Sequence, residues 1–180
     1  MARIKLLGDD EVDGRTAAAL RRFRQSWSRD WNLLRVMAHS PALLETFYGL
    51  WHGLRKTSLE AKDREVIDLY LAARNGCHYC VPAHIGGARE AGISDDDIRA
   101  IIEDRAPGWE RGRLILELTR RLVETKGKLP DDEFEAFKRR GASEREMIEV
   151  IGEIAHCTFT NYLNRLADTD IDDFNAEMKV

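Results

Sequence analysis

Apolar residues recur every three or four positions along most of the chain, which is the spacing of amphipathic α-helices. In residues 41–54 this pattern places Leu44, Phe47, Tyr48 and Trp51 on one face of a helix. Glycine and proline separate the periodic segments, and no segment shows the sustained alternation that is typical of β-strands. The pattern therefore predicts an all-α protein.

The spacing of these segments predicts seven to eight helices in one compact domain that spans residues 1–180. Two helix starts have the sequence signature of a capping box, Thr57 with Glu60 and Ser143 with Glu146. A short helix that carries the cysteines ends near Gly92. The other predicted helices cover about residues 15–38, 41–54, 57–76, 95–104, 109–127, 130–141 and 143–168.

The helix predicted over 57–76 differs from the others in its polarity. From Val66 to Ala73 only Asp68 is polar, so we expect this helix to be central and buried on most sides. By contrast, residues 169–180 form an acidic tail that we expect to dock loosely.

Composition and charge narrow the classes of function. Of the 180 residues 43% are hydrophobic and 33% are charged, a balance typical of soluble globular domains. The net charge of −4 gives no basic field for nucleic acid or anionic lipid, so neither is expected as a partner. Because no apolar run suits a secretory signal or a membrane span, we expect a cytoplasmic protein with reduced thiols.

The stretch NGCHYCVPAH, residues 75–84, carries the candidate chemistry. If a helix begins at Cys77, then Cys77, Cys80 and His84 lie on one face, close enough for a disulfide and for proton transfer. The first turn of a helix stabilises a thiolate, and a nearby histidine can accept the thiol proton. Spacing alone does not decide which cysteine would attack a substrate.

With Glu65 included, the pattern reads E-x11-C-x2-C-x3-H. It resembles the alkylhydroperoxidase D-like branch of the carboxymuconolactone decarboxylase family, over roughly residues 40–105, the CxxC-bearing core. The resemblance implies that Cys80 attacks a hydroperoxide and that Cys77 resolves the sulfenic acid to a disulfide. It implies that His84 and Glu65 form a proton relay, and that a dithiol or thioredoxin-like protein donates electrons. It also implies a homo-oligomer that needs no metal or other cofactor.

Two positions depart from the pattern or disturb it. Some family members have a histidine where this chain has Tyr79, and a phenol does not replace an imidazole base near neutral pH. If the helix already runs at His78, Pro82 cannot donate to its carbonyl and a kink is expected.

Three other interpretations compete with the redox one. C-x2-C-x3-H could bind zinc, with Glu65 or His78 as the fourth ligand, although a second ligand pair is missing from the sequence. The wider family includes a lactone decarboxylase, whose chemistry does not depend on a cysteine pair. A non-enzymatic all-α protein is the third interpretation. For His156 and Cys157, in the last long helix, core packing is the favoured interpretation.

Overall fold

The computed structural model describes residues 2–180. Over that range it contains nine α-helices, one 3₁₀ helix and no β-strand, which confirms the predicted all-α single domain. The helices are α1 (Gly14–Trp27), α2 (Asn32–Met37), α3 (Pro41–Leu54), α4 (Ala61–Arg74), α5 (Cys80–Glu90), α6 (Asp95–Ile102), α7 (Glu110–Glu124), α8 (Asp131–Arg139) and α9 (Glu144–Ala167), with the 3₁₀ helix at Asp173–Asn175. None of these helices is long and apolar enough to cross a membrane.

The helix predicted over 15–38 is wrong, because two helices occupy this range. α1 ends at Trp27, where Ser28 adopts the left-handed conformation with φ 57°, and α2 begins at Asn32. Both helices bury apolar residues such as Phe23 and Leu34 in the same cluster. The apolar periodicity therefore continues across the break and hides it.

The central position predicted for the helix around Asp68 is confirmed. α4 packs against α5, α6, α7 and α9, and all residues from Val66 to Ala72 are buried. Its capping box pairs Glu60 with Asp63 rather than Thr57 with Glu60, so the helix begins later than predicted.

Two apolar clusters include residues of this helix. The first joins α4 to α6, α7 and α9 through aliphatic side chains. The second joins α1, α2 and α3 and includes both cysteines of the CxxC pair. Its aromatic rings pack edge-on and face-on, with the Phe23 and Phe47 centroids 5.6 Å apart. The cysteines are thus embedded in a core and not displayed on a loop.

The connection from α4 to α5 sets the position of the cysteine pair. Gly76 adopts φ 63°, a left-handed conformation that ends α4, and the Cys77 amide donates to the Ala72 carbonyl at 2.9 Å. α5 then begins at Cys80 and not at Cys77. Pro82 therefore falls in the first helical turn, where a missing amide breaks no intrahelical hydrogen bond. The condition for the expected kink is not met.

The acidic tail makes more contacts than its composition suggests. Thr169 and Asp172 are buried. The Asp172 carboxylate accepts hydrogen bonds from the Tyr79 hydroxyl at 2.5 Å and from the Asn32 amide at 2.8 Å. The tail thereby links α2 to the start of α5.

Candidate active site

The cysteine pair lies at the N-terminus of α5. Cys77 and Cys80 form a disulfide with a Cα–Cα distance of 5.2 Å, and their residues are 0% and 3% exposed. The Cys77 sulfur accepts a hydrogen bond from the Cys80 amide at 3.1 Å. The Cys80 sulfur accepts one from Asn164 Nδ2, on α9, at 3.5 Å. Each sulfur therefore has an N–H donor that would stabilise a thiolate in the reduced protein.

His84 and Glu65 form a hydrogen-bonded pair beside the cysteines. His84 Nδ1 lies 3.1 Å from Glu65 Oε2, which joins α5 to α4. The helices approach closely at Gly87, where a Cβ atom would lie only 2.5 Å from Glu65 Oε1. Glycine at this position leaves the space that the Glu65 carboxylate occupies. The structure thus pairs His84 with Glu65 and Cys77 with Cys80, and His84 follows Cys80 by about one turn of α5.

Asp68 is a second carboxylate at the same histidine, and the sequence pattern did not include it. Its Oδ2 lies 3.8 Å from His84 Nδ1, and the residue is 4% exposed. Burial and the neighbouring Glu153 carboxylate raise the pKa of Asp68 to about 7, although the His84 charge opposes the rise.

These two carboxylates determine the charge of His84. Burial alone would lower the pKa of His84, but Asp68 and the hydrogen bond to Glu65 outweigh it and raise the pKa to about 9. His84 is therefore an imidazolium at neutral pH. Within residues 2–180, no hydrogen bond joins His84 to either sulfur of the disulfide. A proton held on His84 favours a thiolate nearby through its charge.

The two residues between the cysteines bind the tail. Tyr79 donates to Asp172 and accepts a hydrogen bond from the Leu33 amide at 3.2 Å, while burial raises the pKa of its phenol. His78 Nε2 lies 2.9 Å from the Thr169 carbonyl oxygen. Tyr79 and His78 thus anchor residues 169–172 over the start of α5.

Cys157 occupies the buried environment that was expected for it. Its thiol lies 3.7 Å from the Asp68 carbonyl oxygen, and Asn161 donates to its sulfur at 3.5 Å. Burial raises the pKa of Cys157, so this thiol is much less reactive than an exposed one.

Two groups of buried donor atoms lie close enough to share a metal ion. Within each group, Asp68–Glu153–His156 and Asp68–His84–Cys157, the ligand atoms lie within 4.8 Å of one another. Neither group contains Cys77 or Cys80. Sequence reasoning did not identify the first group, because Glu153 and His156 follow Asp68 by more than eighty residues.

Comparison with proteins of known structure defines the class of this fold. The structure aligns over 98% of its length with 95% of a peroxidase-related protein from Ralstonia eutropha JMP134, described as an alkylhydroperoxidase AhpD core, with a TM-score of 0.85 and 16% identity. A peroxidase-related protein from Silicibacter sp. TM1040 gives 0.83 and 15% identity, with 98% and 95% of the two chains covered. The debrominase Bmp8 gives 0.76 and 20% identity, with 96% and 93% covered. The chain thus has an alkylhydroperoxidase D-like fold.

A family match in sequence agrees with this fold. The model of the carboxymuconolactone decarboxylase family matches residues 41–121, the range that contains Glu65, the CxxC pair and His84. No curated protein matches the chain in sequence. The family match over residues 41–121 and the fold together support an assignment to the carboxymuconolactone decarboxylase family, with an alkylhydroperoxidase D-like fold.

Proposed function

We propose that this protein is a thiol-dependent peroxidase, or a closely related disulfide oxidoreductase, that uses the Cys77–Cys80 pair. The observation that carries the proposal is the placement of both sulfurs, within disulfide distance, at the start of the helix that carries the His84–Glu65 pair. A dithiol that forms a disulfide supplies two electrons, which is the requirement for reducing one hydroperoxide.

In the first step the Cys80 thiolate attacks the outer oxygen of the hydroperoxide. The O–O bond breaks, Cys80 becomes a sulfenic acid, and the remaining oxygen leaves as an alcohol after it receives a proton. His84, already an imidazolium at neutral pH, favours the Cys80 thiolate through its charge and supplies the proton for the leaving oxygen, with a water molecule completing the path. Glu65 and Asp68 stabilise the imidazolium until this transfer.

In the second step the Cys77 sulfur attacks the Cys80 sulfur, the S–O bond breaks, and the thiol proton of Cys77 joins the departing hydroxide, which leaves as water. The sum of both steps converts two thiols and one hydroperoxide to a disulfide, an alcohol and water. A small dithiol or a thioredoxin-like protein then reduces the disulfide by thiol exchange. No metal or other cofactor takes part in this scheme.

Self-association belongs to the same proposal. α9 exposes large apolar side chains on its outer surface, among them Ile148 at 70%, Tyr162 at 59% and Leu166 at 60%. Burying such a surface between copies is favourable, so we expect a homo-oligomer. Light scattering that gives the mass of one chain at micromolar concentration would contradict this expectation.

Peroxide consumption with a dithiol donor tests the function. We expect Cys80→Ser to abolish turnover, and Cys77→Ser to leave a sulfenic acid at residue 80 that a sulfenate-specific reagent traps. Cys157→Ser is the matched control, because it removes a buried thiol outside the pair. A trapped sulfenic acid on Cys77 in the Cys80→Ser variant would reverse the roles. Absence of peroxide consumption by the wild type would favour lyase chemistry or a non-enzymatic role, and unchanged turnover in both variants would exclude the cysteine pair as the reacting group.

A further inference from the structure

A second polar cluster lies between α4 and α9, beside the residues of the peroxidase proposal. It consists of Asp68, Glu153 and His156, which are 4%, 3% and 8% exposed. Glu153 and His156 are three residues apart on α9 and therefore share one face of that helix, which packs on α4. Buried charged groups are rare in proteins unless they are paired or coordinate a metal.

Four buried polar atoms of this cluster have no hydrogen-bond partner among the described residues. Among the residues that the structure describes, no group hydrogen-bonds to Asp68 Oδ1, Glu153 Oε2 or either ring nitrogen of His156. His156 Nδ1 does lie 3.4 Å from Glu153 Oε1, but without hydrogen-bond geometry. Buried polar atoms in native structures nearly always have a partner, so four such atoms in one place point to a ligand.

The surroundings hold the histidine in place. The His156 ring stacks on Phe47, with centroids 5.2 Å apart and planes 4° apart. Phe47 thus covers one face of the ring and leaves the nitrogen edges available for coordination. The carboxylates come from two helices that pack together, which gives the cluster a rigid frame.

We propose that Asp68, Glu153 and His156 bind one divalent transition-metal ion, with Zn²⁺ as the ion that the donor set suits. Two carboxylate oxygens and one imidazole nitrogen are zinc ligands, and three protein ligands leave one position open. The ion would neutralise two buried carboxylates, and paired acid and Glu-x-x-His ligands are known from metal sites inside helix bundles. The ion is distinct from the CxxC zinc that the sequence suggested, since neither Cys77 nor Cys80 takes part.

The alternative donor group at Asp68 fits less well. His84 Nδ1 already pairs with Glu65, and the Cys157 sulfur already contacts Asn161 and the Asp68 carbonyl. By contrast, His156 has no hydrogen-bonding partner among the described residues. Because both ring nitrogens of His156 are free, we place the ion on the Glu153–His156 side of Asp68.

Titration calorimetry and native mass spectrometry test this proposal independently of peroxidase activity. The protein is stripped with a chelator and titrated with Zn²⁺, both as the oxidised wild type and as the Cys77→Ser/Cys80→Ser variant. We expect one equivalent of zinc in both, and a rise in melting temperature on zinc addition. His156→Gln should weaken binding at least about 10-fold, while His52→Gln, an exposed histidine, should leave it unchanged.

Glu153→Gln provides a second variant if His156→Gln folds poorly, and we expect the same loss of binding. Failure of the stripped wild type to bind zinc stoichiometrically would overturn the proposal. So would binding that disappears in Cys77→Ser/Cys80→Ser and persists in His156→Gln, because the ion would then belong to the cysteines.

Discussion

Two carboxylate clusters, each with a buried aspartate on α4, join the same two helices, and they differ in one residue type. In the first, Asp63 on α4 and Glu146 on α9 both accept hydrogen bonds from Arg111 on α7, at 2.8 and 2.5 Å. In the second, no arginine among residues 2–180 pairs with Asp68 on α4 or Glu153 on α9, and each keeps one oxygen that no described residue hydrogen-bonds.

The difference separates a structural role from a chemical one. Arg111 remains charged at any accessible pH and satisfies its carboxylates permanently, which ties three helices together. Asp68 instead faces the imidazole of His84, which, unlike a guanidinium, can gain and lose its proton. The first cluster is suited to stability. The second is suited to holding and releasing protons or to binding a cation.

The largest effect is expected from a substitution that breaks the cluster of Arg111, Asp63 and Glu146. Arg111→Met leaves the buried Asp63 carboxylate unpaired, so we expect the free energy of unfolding to fall by about 3 kcal/mol, the low end for a broken buried pair because Arg111 is partly exposed. Chemical denaturation measures this change. The rate of the first peroxide reaction, measured under native conditions, should stay within about 2-fold of wild type. A large loss of rate with unchanged stability would contradict the division of roles.

The next largest effect is the pH dependence of the free energy of unfolding, to which Asp68 and His84 contribute. Asp68 and His84 both have folded-state pKa values above their ordinary values, at about 7 and about 9. The folded state therefore retains protons that the unfolded chain releases. His84 contributes on the order of 2 kcal/mol to the free energy of unfolding. This contribution is complete below about pH 6.5 and is lost as the pH rises through 9.

Denaturation of the wild type at several pH values between 6.5 and 9 measures this loss. The Asp68→Asn variant is the comparison, because it removes one titrating group and one cause of the raised His84 pKa. We expect a flatter dependence of the free energy of unfolding on pH in that variant. Equal slopes for the two proteins would show that Asp68 does not set the His84 charge.

A smaller effect is expected on the chemistry itself. Asp68→Asn should lower the rate of sulfenic acid formation about 10-fold near neutral pH, because His84 loses one of the two carboxylates that stabilise its charged form. Nuclear magnetic resonance should show the His84 titration moving to lower pH in the same variant. Asp63→Asn is the matched control and should leave that titration unchanged. A loss of rate without a shift in the titration would assign Asp68 a different role.

The smallest effect concerns the tail over the start of α5. Tyr79→Phe removes the hydrogen bond to Asp172 but keeps the ring, so we expect a loss of about 1 kcal/mol in unfolding free energy. The rate of peroxide reaction should change little, since Tyr79 contacts the tail and not the relay. A loss of rate comparable to that expected for Asp68→Asn would instead place the phenol in the proton path.

The local residues of the candidate site could be selected from the sequence. Glu65, Cys77, Cys80 and His84 lie within twenty residues of one another, and helical spacing together with the family pattern was enough to select them. Asp68 was also noticeable, as the single polar residue in the most apolar run of α4. The break at Ser28 was missed because residues on both sides point into the same aromatic cluster.

The contributions from α9 could not be predicted in the same way. Glu153, His156 and Asn164 reach the site only because α9 packs on α4, and no local periodicity specifies which helices pack together. In the sequence these residues resemble ordinary polar positions of an amphipathic helix. Their burial and their proximity to Asp68 and Cys80 are tertiary properties.

The most direct test of the central claim is the intact mass of the fully reduced protein before and after one equivalent of an organic hydroperoxide. The account predicts the loss of two hydrogens per chain, mapped by proteolysis to a Cys77–Cys80 disulfide, with Cys157 still a free thiol. An unchanged mass, or oxidation that maps to Cys157 while the pair stays reduced, would contradict it.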